Sequence, residues 1–280
     1  MLMKTLFLSI LSFFSVASIV AESYVLKSPD GKISVNVKIE DKIRFSVNHE
    51  QTEVMAPSAI SMTLADGTVW GQKAKLTGKK TKSINETIHS SLYKKNSIGN
   101  SYNELTLNFK GNYSIIFRAF NKGVAYRFSS SNKDSITVTN EEVDLQFGND
   151  YSTVVPYVRT DNPKTFEQQF FNSFENTYTH AKLSQLEPNR LMFLPLVVEL
   201  NDGKKLCITE SDLESYPGLY LNKGTDLSLR GVFAPYPKKI KQGGHNMLQG
   251  IITERENFIA KCKGTRNFPW RVFAISSSDK

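Results

Sequence analysis

Carboxylates supply the candidate chemistry in this 280-residue sequence. Glu175 stands in FENTYTHAKLSQL, within a stretch whose alternation predicts a strand over residues 174–180. Such a strand puts Glu175, Thr177 and Thr179 on one wholly polar face, which meets either water or a polar partner. ITESDLESY places Glu210, Asp212 and Glu214 just after an apolar run, close to Tyr216. Strand ends and their loops are where binding groups collect. Glu210, Asp212 and Tyr216 are therefore candidates for substrate contact, with a plain polar loop as the alternative. Glu141-Glu142 precedes a predicted strand and reads as a solvated rim. Glycoside hydrolysis uses two carboxylates on opposite sides of the bond at a set separation. The sequence offers no such pair, so no catalytic residue is assigned. The histidines His49, His89, His180 and His245 lack the spacing of a metal motif. Trp70, Tyr216, Tyr220 and Trp270 could stack on sugar rings, or could simply pack.

The elements that must position these groups are strands. KISVNVKIE sets Ile33, Val35, Val37 and Ile39 on one face, after the Asp30-Gly31 turn signal. KIRFSVNH is its expected partner, and AISMTLADGTVW turns at Asp66-Gly67. NELTLNFKGNYSIIFRAFNKGVAYRFSS reads as a three-stranded meander carrying Arg118 and Arg127. SITVTN and VDLQF continue the pattern. Residues 191–200 read as a strand buried on both faces, with Pro195 as an edge or bulge feature. Residues 180–187 fit a short helical turn before Pro188. GTDLSLRGVFA and FPWRVFAISS supply two further strands. The expectation is one large antiparallel all-β sandwich.

Hydrophobic content is 40% and charged content 22%, with nothing that marks disorder. Residues 1–21 have the layout of a secretory signal peptide, basic at Lys4 and apolar from Leu6 to Val20; a membrane anchor is the alternative. No later run is long and apolar enough to span a bilayer. A periplasmic product is expected. The net charge is +8, but the lysines are scattered among turns, which argues against a nucleic-acid surface. Cys207 and Cys262 are either a disulfide or two buried thiols in neighbouring strands.

SPDGKISVNV, YNELTLNF with IIFRAFNKGVAYRF, ENTYTHAKLSQL, LPLVVELNDGKKLCITESDLESYPGLYL and PWRVFAIS together resemble the N-terminal domain of glycoside hydrolase family 97. The resemblance covers residues 22–280, in order. It implies a β-super-sandwich similar to galactose mutarotase-like domains, joined in the family to a catalytic (β/α)8 barrel. It implies exported enzymes acting on α-linked glucosides or galactosides, with the catalytic carboxylates in the barrel. It also implies an active-site calcium that takes one glutamate from the N-terminal domain; the matching segment here carries Glu175. The sequence ends at Lys280, where the resemblance places the start of the barrel. The expectation is a non-catalytic domain that supports a barrel, or a free-standing sugar-binding module.

Overall fold

The computed structural model describes residues 22–159, 164–172 and 175–278. The leader expected over residues 1–21 lies outside them. Among the described residues no helix is long and apolar enough to cross a membrane.

Period-two alternation dictates the first hairpins. Ile33–Ile39 buries Ile33, Val35, Val37 and Ile39, and Ile43–His49 buries Ile43, Phe45 and Val47. Each such side chain contributes roughly 1.5–3 kcal/mol when removed from water. The two strands pair antiparallel from Ile33↔His49 to Ile39↔Ile43. The meander forms as expected, as Ser97–Phe109, Tyr113–Phe120 and Gly123–Ser131. Gly123 is required at its position. Its φ is +150°, and a Cβ there would lie 2.3 Å from the Phe273 carbonyl oxygen.

Two antiparallel sheets result. The first has nine strands, with the central path Glu22–Lys27, Ile33–Ile39, Ile43–His49, Thr52–Leu64, Ile136–Gln146, Ser228–Val232, Tyr220–Lys223. The second has ten. Its path runs Thr179–Lys182, Ser152–Val155, Leu196–Glu199, Lys205–Ser211, Trp270–Ser276, Gly123–Ser131, Tyr113–Phe120, Ser97–Phe109, Leu76–His89. One continuous core joins them. Phe45 of the first sheet meets Tyr126, Phe117 and Phe273 of the second at ring distances of 5.1, 5.6 and 5.8 Å. A hairpin of Pro237–Gly243 with Gln249–Arg255 pairs with neither sheet.

Several expectations change. SITVTN and VDLQF are one strand, Ile136–Gln146, running straight through Glu141-Glu142. The stretch 191–200 is not buried on both faces: the strand is Leu196–Glu199, with Leu196 and Val198 inward and Val197 and Glu199 half-exposed. The helical turn within 180–187 is the 3-10 turn Leu183–Gln185. Cys207 and Cys262 are both free, and they lie in different sheets, not in neighbouring strands. Burial pushes both thiols up.

Candidate functional site

Two polar constellations stand out. The first surrounds Glu175 and begins with the short helix Glu167–Phe170. Its Gln169 is fully buried and clamps the helix to the chain beside it. The amide nitrogen donates to the Thr165 and Asn189 carbonyls at 3.2 and 2.8 Å, and the amide oxygen accepts from the Leu191 N–H at 2.8 Å. On the other side Arg255 pairs with Glu167 at 2.6 Å, lies 5.2 Å from the Phe170 ring, and donates to the Pro235 carbonyl.

Glu175 follows as an exposed residue; among the described residues it takes no ion pair or hydrogen bond. The strand expected over 174–180 is shorter than the alternation predicts. It covers only Thr179–Lys182, with Glu175, Thr177 and Tyr178 outside it, and Phe174 lies outside the described residues. Pairing with Ser152–Val155 ends at Val155↔Thr179, since Pro156 comes next and has no N–H to give. The Asn176 side chain then accepts the Thr177 N–H at 2.9 Å, a local bond that competes with a ladder. Glu175 therefore sits in a connecting segment fastened at both ends.

The second constellation is buried between the sheets. A bulge between Val138 and Asn140 shifts the strand's parity, so that Glu141 joins Val138, Val143 and Leu145 in the interior. The solvated rim expected at Glu141-Glu142 is thus replaced by a buried carboxylate. Glu141 accepts two bonds from the Arg271 guanidinium, at 2.8 and 2.7 Å. Arg271, 1% exposed, also reaches Glu210 at 2.5 Å. Glu210 accepts the Leu219 N–H at 3.1 Å as well. Burial pushes the Glu210 carboxyl up, against the pull of Arg271. Burial, with the Glu141 charge beside it, pushes the Tyr216 hydroxyl well up. Glu142 points to the opposite face, bonded to Lys42 and Ser61.

Glu210 and Tyr216 therefore come together around Glu141 and Arg271, while Asp212 faces outward and pairs with Arg127 at 2.9 Å. The aromatic candidates are covered. Tyr216 packs edge-on to Phe233 and Phe268, and Trp70 stacks on Tyr113. Arg118 and Arg127 lie 4.5 and 4.3 Å from the Trp270 ring, and Tyr220 packs with Phe170 and Phe193. Sequence reasoning missed Arg271, although parity places it with Phe273 and Ile275 on the inward face. It also missed Gln169, for which no periodic signal exists. Among the described residues no group of three or more His, Cys, Asp or Glu side chains is arranged to hold a metal ion.

The sequence model of the family described as Glycosyl-hydrolase 97 N-terminal matches residues 26–280. The chain belongs to this family. It is 47% identical over 260 residues to a protein named retaining alpha-galactosidase from Bacteroides thetaiotaomicron. The alignment covers 92% of this chain and 39% of that protein, so the chain spans well under half of its relative's length. A glycoside hydrolase family 97 enzyme from Pseudoalteromonas sp. strain K8, solved with acarbose, has the same fold at a TM-score of 0.72 and 19% identity. That match covers 91% of this chain and 36% of the other. A beta-arabinopyranosidase structure matches at 0.72 and 21% identity, over 91% of this chain and 40% of its own. This chain is thus the N-terminal part of a family-97 glycosidase fold, with no assigned catalytic residue.

Proposed function

We propose that this chain is a non-catalytic sandwich domain of an exported α-glycosidase, of the α-galactosidase type. It buttresses a catalytic (β/α)8 barrel, joined to it or supplied separately, and lends Glu175 to a calcium ion at their junction. The observation that carries this reading is the 47% identity to the retaining alpha-galactosidase, over 92% of this chain but only 39% of the relative.

The residues fit a partial calcium site. Calcium takes about six to eight oxygens at flexible geometry. Glu175 offers an exposed carboxylate that, among the described residues, no cation pairs with, and no group of three or more acidic, His or Cys ligands is found among them. One carboxylate is a contribution and not a site. The isolated chain is therefore expected to bind calcium no better than an exposed carboxylate does.

The test uses a full-length enzyme in which this chain replaces the matching segment of the Bacteroides thetaiotaomicron relative. Glu175→Gln should weaken calcium binding, read by titration with calcium alone, by at least about tenfold. α-Galactosidase activity should fall with it. Unchanged calcium affinity would remove Glu175 from the role. The reading as a free-standing sugar module gains no support from Trp70, Tyr216, Tyr220 and Trp270, which pack against other side chains.

A further inference from the structure

Outside both sheets stands the hairpin Pro237–Gly243 with Gln249–Arg255. A two-stranded hairpin alone is marginal in water. This one is nevertheless built with care at both ends. At its base Arg255 ties it to Glu167 and Phe170 of the short helix that leads into the Glu175 segment. The Tyr236 N–H donates to the Phe258 carbonyl, and the Glu256 N–H to the Tyr236 carbonyl. At its tip Gly244, Asn246 and Met247 hold φ of +68, +53 and +57°. For Met247 that left-handed conformation is unfavourable. It is held by the Gln242 amide, which donates to the Met247 carbonyl at 2.7 Å, and by Gln249, which accepts from the His245 N–H.

The tip and the strand leading to it expose large apolar side chains. Leu248 is 81% exposed, Ile240 62% and Met247 58%. Ile240 stands directly opposite Ile252, so the two share a face. Lys238 and Lys239 share the single negative charge of Glu254, so one positive charge is left over beside this face. Scattered apolar residues at a surface need no explanation, but a projecting group held in a strained, hydrogen-bonded turn does.

We propose that this hairpin is a docking arm that grips the remainder of a family-97 glycosidase chain, on an apolar patch bordered by a carboxylate. The inference rests on the proposed role of this chain as the buttress of that remainder. Position selects the occupant. The arm is anchored to the helix that carries the chain toward Glu175, and the Glu175 segment runs into the strand Thr179–Lys182 at one edge of the second sheet. The other projecting hairpin, with Leu92 at its turn, belongs to the opposite edge of that sheet. The relative's chain is much longer than this one, so a large body is available to cover the arm.

Hydrogen exchange compares the isolated chain with the full-length hybrid enzyme described above. Amides of residues 237–255 should exchange at least about tenfold more slowly in the full-length enzyme. Ile240→Asp with Leu248→Asp should abolish that slowing and leave the thermal midpoint of the isolated chain unchanged. Slowing at residues 175–182 without slowing in the hairpin overturns the arm and leaves the buttress reading standing. No slowing in either segment overturns both. Slowing that depends on the concentration of the isolated chain assigns the face to a second copy, and also overturns the proposal.

Discussion

Arg271 is the residue on which the interior turns. Its guanidinium is 1% exposed and joins Glu141 of one sheet to Glu210 of its own. A buried pair is costly to break from one side, because the survivor keeps its charge without a partner. Arg271→Met should therefore cost about 3–5 kcal/mol in urea unfolding, and adding Glu141→Leu should recover most of that loss. A single variant as stable as the wild type would show that water reaches Glu141 by another route. Glu210 carries a pH signature. Burial raises its carboxyl above the ordinary value of 4.5, so the folded chain holds this proton to higher pH than the unfolded chain does. Its contribution to stability is complete below that ordinary value and is lost as pH rises through the folded one. The unfolding free energy of the wild type minus that of Glu210→Gln should thus fall as pH rises above about 4.5. A difference that rises over this range would reverse the assignment.

At the scale of the element, the short helix Glu167–Phe170 decides where Glu175 can be. Gln169→Ala removes three hydrogen bonds and leaves the buried Leu191 N–H and the Asn189 carbonyl without that partner. The expected loss is about 1–3 kcal/mol, with faster hydrogen exchange across residues 164–178. A uniform change across the whole chain would show that Gln169 supports the core at large and not this segment. Such elements mark the limit of sequence reading. The hairpin Ile33–Ile39 with Ile43–His49 and the meander were legible because every second residue is apolar, and the meander's turns carry Gly111, Asn112 and Asn121. The Glu175 segment was misread as a strand because its alternation is real, while its end is set by Pro156, the residue just past the partner strand. Glu141 was misread because one bulge reverses the parity of everything after it. The resemblance pointed to Glu175, whereas Gln169 has a role only once residue 189 is brought beside it.

For the whole molecule, periodicity announced two packed layers but not which strand joins which layer. Cys207 and Cys262 show why: each sits in an ordinary apolar run, yet Lys205–Ser211 pairs with Trp270–Ser276 and Ala260–Cys262 with Ile136–Gln146. Long-range pairing of this kind leaves no local mark. It also implies that the sheets cannot unfold separately, since each presents its apolar face only to the other. Phe45 is the clearest witness, because it belongs to the first sheet while its ring is enclosed by Phe117, Tyr126 and Phe273 of the second. Truncating it opens a cavity in both layers at once. Phe45→Ala should cost about 3–5 kcal/mol, and the loss should appear equally in every probe. Backbone circular dichroism reports the strands, and near-ultraviolet circular dichroism reports the tyrosines and tryptophans gathered in the core. The two should give one coincident urea transition in the isolated chain, before and after the substitution. If the transitions separate, the two sheets are independent units, and the common core does not bind them into one.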